Sequence, residues 1–194
     1  MLGRIIAVLL TIFTAFSVLT VSVLRAASVD NNFLETNYYL PYPGRILQDN
    51  SLWFAKALRD KIWLKLTVSP LRKMDLLLLF SDKRLVGSKI LIEKNKASVA
   101  LSALGKGEKY LEEASKFEQK SRKGGVDTKS FLPKLASAAL KHRQVIEEML
   151  LIAPEDIKPS IVKMEDYSKN VYKEARDAMN SLGMEAPKSS YGSD

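Results

Sequence analysis

The first pattern in the chain is a block: residues 5–24, IIAVLLTIFTAFSVLTVSVL, hold twenty positions without a charge. Twenty helical residues at about 1.5 Å each reach about 30 Å, the thickness of a hydrocarbon core. The block predicts an N-terminal transmembrane helix, with residues 1–25 as the anchor and Arg4 and Arg25 at its flanks. A cleaved secretory signal competes for the same residues, since Ala26-Ala27-Ser28 would pass as a cleavage site near Ser28. The length of the run favours the anchor, because a signal's apolar region is generally only about 7–15 residues long. One Arg on each side leaves the charge rule for orientation undecided. The short N-terminal overhang sets the expectation that the N-terminus stays in, with everything after the span extracytoplasmic.

Beyond a polar, aromatic linker at 26–50, the pattern changes to helical periodicity. Pro41, Pro43 and Gly44 exclude regular helix in the linker and signal a turn; Tyr38, Tyr39 and Tyr42 fit either a headgroup layer or the surface of the domain. Asp49, Asn50 or Ser51 offers a cap for a first helix running from about Leu52 to Leu66. Phe54, Leu58, Ile62 and Leu66 line one face of it, and Trp53, Ala57 and Leu64 another, which predicts a helix sandwiched between layers, with tryptophans that touch the bilayer and an apolar excess that forms an interface as the alternatives. Ser69-Pro70 opens a second helix to about Lys94. Its LLLLF at 76–80 covers the whole circumference and predicts a central position. Asn95 is a plausible left-handed stop. A third helix, about Lys96–Lys123, carries stripes Ala100, Leu104, Leu111, Ala114 and Ala103, Tyr110, Phe117, and Gly124-Gly125 closes it.

Asp127 or Thr128 caps a fourth helix with Leu132, Leu135, Ala139, His142, Ile146 and Met149 on its seam. Pro154 opens a fifth with Ile157, Ile161, Met164, Val171, Ala175, Ala178 and Leu182, whose start Pro159 bends or delays. No strand-like alternation of useful length occurs. The fold class expected is all-α, an N-terminal transmembrane helix followed by an antiparallel bundle of about five helices over residues 51–182, with a disordered polar tail at 183–194.

The 194 residues carry a formal charge of +8, unevenly spread. Residues 51–95 hold ten Lys/Arg against four Asp/Glu, whereas 154–194 hold six against eight. A basic excess beside a membrane span suits anionic lipid or an acidic polymer; a solvated Lys-rich surface is the plainer reading. Lys61, Lys65, Arg72, Lys73, Lys83 and Arg84 form the candidate basic contact face.

Chemistry is sparse. With no cysteine, disulfides, thiolate ligands and thiol catalysis are excluded. His142 is the only histidine, so no second imidazole can join it on a metal. A hydrogen-bonded core histidine is expected, with a pH-sensing role as the alternative. The carboxylate pairs Glu112-Glu113, Glu147-Glu148, Glu155-Asp156 and Glu165-Asp166 point about 100° apart on a helix and suit surface ion pairs, Glu112 and Glu113 with Lys116 among them. No phosphate loop and no nucleophile turn for a Ser-Lys hydrolase are present. Catalytic, cofactor-binding and metal sites are all expected to be none. The membrane segment and the lack of a basic run count against nucleic acid, which an inverted topology would revive.

Pro43-Gly44, Ile46-Leu47, Asp49, Leu52-Trp53-Phe54, Lys56, Arg84-Leu85 and Lys94-Asn95-Lys96 give the chain, over about 41–118, its likeness to a known pattern. It resembles a bacterial family of unknown function with an N-terminal membrane segment and an exported helical domain, opening with a Pro-Gly-Ile-Leu-Pro-Asp-Ser-Pro-Leu-Tyr-Phe-like motif. Arg45 is inserted here, Gln48, Asn50 and Ser51 replace Pro, Ser and Pro, and Gly87 stands where an acidic residue is usual. The resemblance implies anchoring and a helical bundle, and no activity. The expected function is a membrane-anchored extracytoplasmic interaction module of the bacterial envelope, not an enzyme, whose partners are the membrane and another envelope protein, anionic lipid or acidic polymer. The alternative is a membrane-linked sensor or regulator acting through a transmembrane partner.

Overall fold

Among the described residues five α-helices carry the fold: α1 Trp53–Leu66, α2 Pro70–Glu93, α3 Ala97–Lys123, α4 Leu132–Ile152 and α5 Lys158–Ser181, with a 3-10 turn at Glu155–Ile157 before α5. The structure, a computed structural model, describes residues 37–189, all within one unit. The expected anchor, the cleavage site near Ser28 and the last five residues lie outside the described residues. Among the described residues there is no strand, and no helix is long and apolar enough to cross a membrane.

The cross-helix contacts fix the topology. Ser81 Oγ donates to the Gly107 carbonyl and Arg143 pairs with Glu165, so the α2–α3 and α4–α5 hairpins are antiparallel. Asp75–Lys134, Asp82–His142 and Lys89–Glu148 keep a nearly constant offset, so α2 and α4 run parallel. Gly105 against Met164 and Ser115 bonded to Glu174 show the same for α3 and α5. Around the bundle the order is therefore α2, α3, α5, α4, and the connection at 124–131 crosses its diagonal. Four helices close the bundle. The expected fifth member, α1, touches only α2 appreciably and is an outer strap.

Local signals act where the chain turns. Asn95 takes φ +58°, the left-handed stop its small polar side chain tolerates. Gly125 at φ +86° ends α3 as expected. Ser69 makes no side-chain capping bond, and Asn50 reaches only the Leu52 amide. Pro159 falls in the first turn of α5, where a missing N–H costs nothing, and the helix starts at Lys158 rather than at Pro154.

Two apolar clusters fill the bundle. One gathers Met74, Leu77 and Leu78 with Leu111, Leu132, Leu135 and Val171. The other gathers Leu85 and Leu91 with Leu104, Ile146, Met149 and Ile161. Along every helix a short polar interval separates them: Ser81 and Asp82 on α2, Glu108 on α3, His142 on α4, Glu165 and Ser168 on α5. The core is thus two apolar halves with a polar layer between. The tail also departs from expectation at its start, because Met184 and Ala186 pack on the first cluster and Tyr172 Oη donates to the Pro187 carbonyl at 2.6 Å.

Candidate functional site

The linker leaves its proline-glycine turn and is held to α1 by one lysine. Gly44 adopts φ +88°, and Lys56 Nζ donates to the carbonyls of Pro43 (2.7 Å) and Ile46 (3.0 Å) while lying 4.9 Å from the Trp53 ring centroid. Burial, then neighbouring cations, lowers the Lys56 pKa against the pull of Asp60. Leu47, Pro43 and Gln48 close over Gly87 of α2, at ordinary contact distance from where a Cβ would stand. Pro43, Gly44, Ile46, Leu47 and Gln48 with Lys56 and Gly87 thus form one buckle fastening linker, α1 and α2.

Beside the buckle lies Arg84. It is only 5 % exposed, although the sequence places it on a solvated basic face. Its guanidinium carbon sits 4.5 Å from the Tyr110 ring centroid, 5.6 Å from Trp53 and 5.9 Å from Phe80. Nη1 donates to the Phe80 carbonyl, Nε has no partner, and no carboxylate of the described residues is within ion-pair distance. Burial lowers its pKa. An aromatic cage suits this cation, since ring faces compensate some of the lost hydration. Arg84, Trp53, Ala57 and Tyr110, with Lys61, Lys106, Lys109 and Glu113, line a cavity of about 330 Å³.

The other candidate cations disperse. Lys61 joins Arg84 at the cavity; Lys65 and Arg72 are exposed; Lys83 is half-buried; Lys73 stands 5.1 Å from the Phe117 ring centroid. Lys106, Lys109 and Tyr110 were not anticipated at this site, because only the crossing of α3 past α1 and α2 brings them there.

The outer side of α1 overturns the sandwich expectation. Phe54, Leu58, Ile62 and Leu66, successive turns of one stripe, are 76, 47, 49 and 72 % exposed. Asp60 is the only buried residue of α1, and Arg59 pairs with it at 2.7 Å. Both tryptophans are half-buried or more exposed, with Trp63 edge-on to Phe80. α1 has too few inward apolar side chains to be drawn into the bundle, so its second apolar face stays in solvent.

The polar layer explains His142. The ring is fully buried, with Nδ1 2.7 Å from Glu108 Oε1 and Nε2 3.0 Å from Asp82 Oδ1, and Tyr38 Oη donates to the other Asp82 oxygen at 2.8 Å. Burial pushes the imidazole pKa down, but the Glu108 charge and the hydrogen bonds to Asp82 and Glu108 outweigh it and raise it to about 9. The ring is therefore a cation at neutral pH, donating from both nitrogens and leaving no lone pair for a metal. Among the described residues no His, Asp and Glu group is arranged to hold one. Tyr38 is pushed well above its usual range by burial and by Asp82.

Several other carboxylates are paired. Glu112 pairs with Lys116 on the surface as expected, but Glu165 is buried and bridges Arg143 and Lys169. Glu118, also buried, takes Arg122 and the Thr128 hydroxyl; Thr128 was expected to cap α4 and instead ties the loop to α3. An acidic groove of about 420 Å³ between α3 and α5 includes Glu174, which already accepts from Ser115 and Gln119.

No curated protein and no solved structure matches the chain. Residues 45–156, from the buckle through α4 to the turn before α5, match the family described as a domain of unknown function, DUF5667, and the chain belongs to that family.

Proposed function

We propose that this protein is a membrane-anchored, extracytoplasmic docking module of the bacterial envelope, working by binding rather than catalysis, with α1 resting on an anionic bilayer surface. The α1 stripe carries the reading. Four large apolar side chains stand in solvent on a helix that also bears Arg59, Lys61 and Lys65, the composition of an interfacial helix. Covering the exposed fractions of such a stripe is worth roughly 4–7 kcal/mol gross at about 1.5–3 kcal/mol for each fully buried side chain. The basic excess of this region complements anionic lipid.

The apolar run at 5–24 supplies the anchor in this reading, and the family likeness of the buckle supports it. The single histidine is committed to a buried ion cluster, which agrees with a module that performs no acid–base chemistry.

The absence of native cysteine allows a clean test. Leu58→Cys in the full chain, labelled with an environment-sensitive dye, is placed in nanodiscs of neutral or anionic lipid, with Lys163→Cys as a solvent control. The dye at 58 is expected to shift to the blue in anionic discs and to return partly with salt. A fully aqueous signal at 58 in both lipids would overturn the docking. Reporters fused after Asn50 and at the C-terminus test the side of the membrane, and a cytoplasmic signal from both would reject the extracytoplasmic placement.

A further inference from the structure

We propose that the cavity around Arg84 is a binding site for a phosphate group. A guanidinium taken out of water without a carboxylate is expensive to bury. Here three aromatic rings offset part of that cost, yet Nε keeps no hydrogen-bond partner. Nε is itself enclosed, so an anion entering the cavity that Arg84 lines would relieve the cost through its charge.

The rim says which anion. Lys61 comes from α1, and Lys106 and Lys109, three residues apart on one face of α3, come from the other side. Among the described residues Glu113 is the only acidic one lining the cavity, so four cations face one carboxylate. That excess exceeds what one carboxylate ligand neutralises and suits a doubly charged phosphate, which Arg holds with its planar fork and lysines hold as point charges. At about 330 Å³ the cavity lies at the small end of ligand pockets, with room beside Trp53, Ala57 and Tyr110 for an organic group attached to the phosphate. The site stands on Arg84 and the lysines, independently of whether α1 rests on a bilayer.

Phosphate can arrive free or on a lipid headgroup, and one titration separates the two. Trp63→Phe leaves Trp53, in the cavity wall, as the sole indole of the full chain. In maltoside micelles at low salt this protein is titrated with inorganic phosphate and, separately, with dioctanoyl phosphatidic acid, with dioctanoyl glycerol as the uncharged control. A saturable change in Trp53 emission is expected, about tenfold weaker when Lys61, Lys106 and Lys109 are all changed to Gln. Those three side chains are exposed, so circular dichroism should show the fold intact. Arg84→Lys, which keeps charge but loses the fork, is expected to weaken binding too. Saturation by both ligands supports a site for phosphate from any source, and saturation by phosphatidic acid alone supports a lipid headgroup site. No saturation by either, equal response to dioctanoyl glycerol, or undiminished binding by the triple Gln variant would overturn the proposal.

Discussion

Replacing His142 with Gln tests the polar layer most directly. In the native protein an imidazolium is shared by Glu108 and Asp82, with no water-exposed surface on the ring. Its pKa rises from an ordinary 6.5 to about 9, worth on the order of 3 kcal/mol of folding free energy. Because the folded value is the higher one, that stabilisation is fully present below pH 6.5 and is lost as pH rises through 9. Gln occupies similar space but carries no charge, leaving two buried carboxylates facing each other without a cation. Removing one partner of a buried ion cluster typically costs about 3–5 kcal/mol.

The assay is urea unfolding of the full chain in maltoside, followed by circular dichroism at pH 6, 7.5 and 9.5. The native protein should lose about 3 kcal/mol across that range. The variant should start 3–5 kcal/mol lower at pH 6 and lack the His-linked fall. A variant within about 1 kcal/mol of native at pH 6, with an unchanged pH slope, would refute the argument.

Other sites give sharper local tests. A Cβ at Gly107 would stand 3.1 Å from Arg84 Cβ and 3.3 Å from the Ser81 carbonyl oxygen, so Gly107→Ala should cost about 1–2 kcal/mol despite its gain in helix propensity, read as a lower urea midpoint. Lys56→Met removes both bonds to the linker carbonyls and should raise amide exchange over 43–56 at least tenfold while α4 and α5 stay protected. Asn95→Gly should stabilise by about 0.5–1 kcal/mol, since φ +58° is costless for glycine; a lower melting temperature would contradict that. Phe54→Ser with Leu66→Ser should leave the urea midpoint nearly unchanged, because about three quarters of each side chain is in solvent, yet weaken association with anionic lipid.

The helices were legible in the sequence because periodicity and punctuation are local. The ends of α2 and α3 follow from proline, glycine and asparagine positions, and LLLLF is buried at Leu76, Leu77, Leu78 and Phe80, whereas α4 and α5 begin at Leu132 and Lys158, four residues beyond the Thr128 and Pro154 starts that the sequence offered. The burial of His142 was also legible, since it falls on the α4 seam. Its partners were not, because Asp82 and Glu108 are 60 and 34 residues away and look like ordinary members of a charged surface.

Arg84 illustrates the same limit from the other side. A Lys- and Arg-rich stretch reads as a solvated face, and nothing local marks one of its members as enclosed by rings from three helices. The apolar stripe of α1 was read correctly as a stripe and wrongly as buried, because burial depends on whether another element arrives to cover it. Local signals were enough for the existence of the five helices and their apolar seams, since backbone preference and 3.6-residue periodicity act within a few turns; the starts of α4 and α5 were not local, because Thr128 is drawn to Glu118 of α3 and a 3-10 turn precedes α5. Tertiary structure alone decided that four helices close and α1 stays outside, and which charges meet in the interior, because those outcomes depend on contacts between segments far apart in the chain.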